Sequence, residues 1–208
     1  MLKKFALAFG ITFISTIILV VSLLKASEIH YVISQPPYEI NKQDASKLEY
    51  NISFSNYYRG NILPDNPLWS LKVLRDRLWI LVTTDPKKKS ELYLLLSEKR
   101  LGSAVYLFLN KKTDLALSVL TKAEKYLESS YELERIASRD GKNTSDLALA
   151  ISNASLFHRR IIENVMNVST EQAKPIIVLS LDYPKRIYIE SSSYLVSLGM
   201  KPPRNPFD

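Results

Sequence analysis

The chain has no cysteine and only two histidines, His30 and His158. Disulfides, thiol nucleophiles, iron–sulfur clusters and thiolate-bound zinc are therefore excluded. A zinc site would have to draw most of its ligands from carboxylates. The His-Glu-x-x-His spacing is missing, and so is a calcium loop of spaced acidic residues around a glycine. No glycine-rich loop precedes a helix, which removes the known phosphate-cradling loops. Five glycines in 208 residues are few and argue against a sheet-rich fold with many tight turns. The expectation is no cofactor, no metal and no catalytic residue. His158 lies beside Arg159 and Arg160 and reads as a partly exposed packing residue. Glu91 and Glu98 on one helix, and Glu128, Glu132 and Glu134 on another, are the carboxylates that helix surfaces ordinarily carry. Nothing in their spacing pairs them across a cleft, as glycan hydrolysis requires.

Apolar residues make up 46% of the sequence, enough for a folded core. Residues 5–24 carry no charge and are flanked by Lys3, Lys4 and Lys25. As a helix this run spans roughly 30 Å, the thickness of a bilayer core. A signal peptide usually has a shorter apolar region and a small-x-small cleavage site. The candidate here, Leu24-Lys25-Ala26, lacks that pattern, so a retained anchor is expected. Lys3 and Lys4 favour a cytoplasmic N-terminus, which would put the rest of the chain outside the cytoplasmic membrane. The three flanking lysines are part of the net +7, and the remainder has 25 basic against 21 acidic residues. That balance is too mild to suggest nucleic acid.

The expected fold is all-α: an antiparallel bundle of four or five helices, after one N-terminal transmembrane helix and an extended stalk. Residues 1–25 form the anchor, 26–60 the stalk, 61–199 the helical domain and 200–208 a proline-containing tail. The stalk contains Tyr31, Tyr38, Tyr50, Tyr57 and Tyr58, which read as interface or packing aromatics. Two helix starts share one grammar, Asp65-Asn66-Pro67 and Thr84-Asp85-Pro86. In each a short polar side chain can cap free N–H groups, and proline suits the first helical position. Asp65, Pro67, Asp85 and Pro86 are thus expected to be architectural.

The first helix should bury a stripe of Leu68, Leu71, Leu74, Leu78, Leu81 and Val82, with Trp69 and Trp79 at its edges. The second should run from Pro86 to Leu109, with Lys99 interrupting its apolar face. Lys87, Lys88 and Lys89 fall in its first turn, where the helix dipole disfavours cations. They are either a solvated turn or a contact for an anionic surface. Thr113 or Asp114 should cap the third helix, whose Ala116 and Ala123 permit close approach to the second. Gly141 should end it, and Ser145 or Asp146 should cap the fourth. Ser169-Thr-Glu-Gln has capping-box spacing. A short turn or strand over residues 176–181 and a last helix ending at Gly199 complete the domain. Of four glycosylation-type sequons, Asn51, Asn143, Asn153 and Asn167, two fall on the fourth helix and read as chance.

Ile62-Leu-Pro-Asp-Asn-Pro-Leu-Trp-Ser-Leu-Lys, Thr84-Asp-Pro-Lys-Lys-Lys-Ser-Glu-Leu and Leu96-Ser-Glu-Lys-Arg-Leu occur in order. Over residues 62–127 the chain resembles a bacterial family of helical domains of unknown function, commonly exported or held by one N-terminal membrane segment. Asn66, Ser90, Ser97 and Gly102-Ser103 depart from its usual residues. The resemblance implies a helical domain outside the membrane and no reaction. The expected function is a membrane-anchored, extracytoplasmic, non-catalytic interaction domain for sensing or assembly in the envelope. Its partners would be the membrane, a protein or an anionic envelope polymer, and the sequence leaves the oligomeric state open. A homo-oligomeric membrane tether and an envelope glycan hydrolase are the alternatives.

Overall fold

The computed structural model describes residues 9–16, 18–19 and 62–207. Residues 9–16 are helical. The expected stalk, and half of the expected membrane run at residues 5–24, lie outside the described residues. Among the described residues, no helix is long and apolar enough to cross a membrane.

Six helices follow: α1 (Trp69–Val82), α2 (Pro86–Leu109), α3 (Thr113–Arg139), α4 (Ser145–Val168), α5 (Lys174–Ser180) and α6 (Asp182–Ser197). The domain is all-helical, with one more helix than the largest expected number. The extra one arises because the C-terminal segment divides into the short α5 and the longer α6.

The α2–α3 hairpin is the most extensive pairing, and α4 with α6 is the next. Ser90 Oγ donates to the Ser130 carbonyl at 2.7 Å, and Ser130 Oγ donates to the Ser90 carbonyl at 2.9 Å. This pairs the start of α2 with the end of α3, so the two run antiparallel. Only short side chains let helices approach closely enough for a hydroxyl to reach the opposite backbone. Ala116 and Ala123, both fully buried, continue the close seam.

One core region joins the C-terminal half of α2 to α3, α4 and α5 through Leu101, Leu107, Leu120, Ile161, Ile162 and Ile177. A second joins Leu94, Leu127, Ile151 and Ile187 of α2, α3, α4 and α6. A third, Trp79 with Leu92, Leu95, Leu96 and Tyr126, fixes α1 to α2 and α3.

The helix ends explain the boundaries. Asp85 caps α2, accepting from the Lys88 backbone N–H at 3.1 Å, with Pro86 at the first helical position. After α3, the Lys142 N–H bonds to the Ala137 carbonyl and the Gly141 N–H to that of Ser138. This six-to-one and five-to-two closure needs a left-handed residue, supplied by Gly141 at φ 79°. Gly199 closes α6 by the same pair of bonds. Lys111 does so after α2, at φ 59°.

Four expected features differ. α1 begins at Trp69, two residues beyond Pro67, and Leu68 stands at its cap without a side-chain bond. Asp65 instead pairs with Lys112 at 2.5 Å, and Asn66 Oδ1 accepts from the Leu68 N–H at 2.9 Å. Neither Thr113 nor Asp114 caps α3: Lys112 holds the cap position, and Asp114 lies in the first turn. The cap position of α4 belongs to Thr144, whose hydroxyl is committed to Glu134 Oε1 at 2.5 Å. Ser169 closes α4 instead of opening a helix, donating to the Val165 carbonyl at 2.7 Å.

A left-handed conformation costs a residue with a Cβ roughly 1–2 kcal/mol. Lys111→Gly is therefore expected to stabilise the protein by about 0.5–1 kcal/mol after glycine's added unfolded-state entropy. Urea denaturation measures this, with Gly141→Ala as the opposite control, expected to destabilise.

Candidate functional site: a basic recess between α1 and α2

The polarity of α1 is the reverse of what its periodicity suggests. Asp76 and Trp79 are buried, and the expected apolar stripe faces outward except for Leu78, which is half-buried. Leu68, Leu71, Leu74, Leu81 and Val82 are 51, 63, 51, 72 and 55% exposed. Trp69 and Trp79 belong to the packed side, not to the edges of a buried stripe. Charge explains the inversion. Asp76 Oδ2 accepts from Arg100 of α2 at 3.2 Å, while Oδ1 accepts from Arg75 at 2.7 and 3.2 Å. Both Asp76 and Arg100 are nearly inaccessible, with side chains 3% and 6% exposed. A buried charge must be paired, so this bond fixes which face of α1 meets the bundle.

A narrow recess opens beside the pair, lined by Trp69, Lys72, Arg75, Asp76, Lys99, Arg100 and neighbouring apolar side chains. Four cations here face one carboxylate. Aromatic rings separate them. Lys72 Nζ lies 4.8 Å from the Trp69 ring centre, and the Arg100 guanidinium lies 5.0 Å from the same ring. Arg100 is also 5.3 Å from the Tyr126 ring of α3, which Lys122 approaches at 5.0 Å. Cation and ring thus alternate across three helices, each contact adding attraction from the ring's electron-rich face. Lys72 also donates to the Ile62 carbonyl at 3.1 Å, tying the segment before α1 to the recess.

Burial pushes the Lys72 ammonium down to about 8; Asp76 opposes the shift, while Arg100, Arg75 and Lys99 add to it. Burial also lowers Lys99, with Arg75 contributing. The Arg100 Nε is buried and has no hydrogen-bond partner. The recess therefore concentrates positive charge where water screens it poorly.

The other singled-out residues lie elsewhere. The Lys87 ammonium donates to the Asn143 carbonyl at 2.7 Å, Lys88 is exposed and Lys89 is half-buried. The three lysines do not form one exposed patch. Asp85 pairs with Lys142, which, with its Lys88 N–H bond, holds its carboxyl below the usual range. The turn after α3 therefore clasps the start of α2.

His158 is fully buried, not partly exposed, and its Nδ1 lies 2.8 Å from Glu124 Oε1, joining α4 to α3. Glu134 is buried under Thr144, and burial raises its carboxyl. Glu128 pairs with Arg186. Glu132 is exposed, Glu91 half-buried and Glu98 buried. Among the described residues, no group of three histidine or acidic side chains is placed to hold a metal.

Sequence reasoning missed the recess. Its one visible signal was Lys99, set into an otherwise apolar helix face.

Two outcomes follow. Asp76→Ala strands Arg100 in a buried position and should destabilise the fold by about 3 kcal/mol. Urea denaturation would show the loss, and tryptophan emission would shift to the red, since both tryptophans sit on α1. A lysine whose pKa is lower folded than unfolded favours the unfolded state when protonated. The part of stability due to Lys72 should therefore rise between about pH 8 and its ordinary 10.5. Lys72→Met should remove that slope from the stability–pH profile.

No curated protein and no solved structure matches the chain. A family model described as a domain of unknown function, DUF5667, matches residues 61–172. That range takes in α1 to α4 and both sides of the recess, and it ends before α5 and α6. It covers more than half of the sequence, and the chain belongs to the DUF5667 family.

Proposed function

We propose that this protein is a non-catalytic docking domain, held at the outer side of the cytoplasmic membrane, whose α1 lies on the bilayer surface. The outward leucine stripe of α1 carries this reading. Five large apolar side chains on one solvent-facing helix are unusual in a soluble domain, and such patches mark contact surfaces. The charges on α1 favour lipid as the occupant. Its acidic residue, Asp76, is buried, while Arg77 is exposed beside the leucines and Arg75, also exposed, is bonded to Asp76. Leucines flanked by arginines, without exposed acid, are the composition of a helix lying in a membrane interface. The uncharged run at residues 5–24 supports an anchor that would keep α1 close to the same surface. The motifs beginning at Ile62 and Thr84 fit this reading, because Asp85 and Pro86 start α2 and Asp65 ties the segment before α1 to Lys112, which are architectural tasks.

The test uses the absence of cysteine. A nitroxide on Leu74→Cys of the full chain, reconstituted in anionic nanodiscs, should be reached better by oxygen than by a nickel chelate. Lys125→Cys, on the exposed side of α3, should show the reverse. Free nickel access at position 74 would sink the proposal. Dipolar broadening between labels at that position would overturn it in favour of a second copy of the chain.

A further inference from the structure

We propose that the recess between α1 and α2 is a binding site for a phosphate-class oxyanion, gripped by Lys72, Arg75, Lys99 and Arg100. Four independent features converge. First, the lining holds four cations and one carboxylate, and that carboxylate is already engaged by both arginines. Second, the donors are graded by depth. Arg75 is the most exposed, Lys72 and Lys99 are half-buried and Arg100 is nearly inaccessible. An entering anion would thus exchange water for donors progressively. Third, donor capacity is unspent. Arg100 Nε is buried without a partner, and the Lys99 ammonium forms no salt bridge among the described residues. Fourth, Trp69 packs against Lys72 and Arg100, so the cations are held in place before an anion arrives. Preorganised donors lose little freedom on binding.

The charge count selects the ligand class. The four cations of the lining outnumber its one carboxylate, which suits a phosphate dianion better than a single carboxylate. Lysine serves phosphate as a point charge and arginine as a fork of donors. The recess is narrow and partly open, which suits a small ion or the phosphate terminus of a larger molecule. This site does not depend on α1 lying on a bilayer, because the recess is on the packed side of α1 and the leucines are on the other.

The lowered Lys72 gives the site a second signature. Among the described residues, the charged groups facing it are Arg75 and Asp76 on α1 and Lys99 and Arg100 on α2. A bound anion among them would raise its pKa, so binding would take up protons near pH 8.

The chain's only two tryptophans, Trp69 and Trp79, line the recess and report on it directly. The full chain in neutral maltoside micelles would be titrated with inorganic phosphate at constant ionic strength set by chloride. A saturable change in tryptophan emission is expected, with proton uptake at pH 8. Lys99→Gln, a half-buried position that tolerates a neutral side chain, should weaken the response at least tenfold. Lys125→Gln, exposed on α3, should leave it unchanged. Dispersed phosphatidylglycerol would then be added as competitor. Displacement of phosphate would identify a lipid headgroup as the source, and failure to displace would identify a soluble phosphate compound; both support the site. A response that does not saturate, that acetate reproduces equally, or that Lys99→Gln retains in full would overturn it. None of these outcomes bears on the nitroxide result at position 74, so the two proposals fail separately.

Discussion

Close contact between α2 and α3 is the constraint on which the domain rests. Ser90 and Ser130 exchange hydroxyl-to-carbonyl bonds across the seam, and buried alanines continue it. Interiors are packed densely enough that a larger side chain at any of these positions would force the helices apart. The separation of the pair sets the distance from Arg100 on α2 to Tyr126 on α3. It also sets where Glu124 stands when α4 brings His158 to it. The polar contacts of the interior are thus read out from a seam of small residues.

The buried charges play a different part from the apolar core. Leucine, isoleucine and alanine make collapse favourable but tolerate several arrangements. Asp76 with Arg100, Glu124 with His158 and Glu134 with Thr144 each tolerate very few, because an unmatched partner would be left without water. Each joins elements that apolar packing alone would leave free to slide. In α1 the effect is large enough to override the helix's own amphipathicity.

Local chemistry was legible in the sequence where nothing distant competed for it. Asp85-Pro86 capped α2 as expected, since no other donor outbids the adjacent Lys88 N–H and Lys142 only adds to the carboxylate's partners. Gly141 and Gly199 ended their helices because the left-handed turn is a property of the backbone itself. Thr144 occupies a cap position without a capping bond because Glu134, ten residues away, takes its hydroxyl. Ser169 fits both a helix start and a helix end by spacing alone, and its bond to Val165 decides between them. The stripe on α1 was correctly located and wrongly oriented. Periodicity reports that a helix has two faces; which face turns inward was settled by Arg100, a residue on another helix. The same long-range pairing hid the recess, whose cations come from two segments more than twenty residues apart.

The pairing of Asp76 with Arg100 has a consequence for synthesis. The two residues are 24 positions apart in the chain. At about 5–20 residues per second, the ribosome adds Arg100 roughly 1–5 s after Asp76. In that interval α1 has its leucines, and its acid has Arg75, the residue before it, as its one partner from α1. It is then an amphipathic segment, free to settle on whatever surface is nearest. The bundle claims its other face only once Arg100 has emerged, so α1 has a history with its outward side before it acquires an inward one.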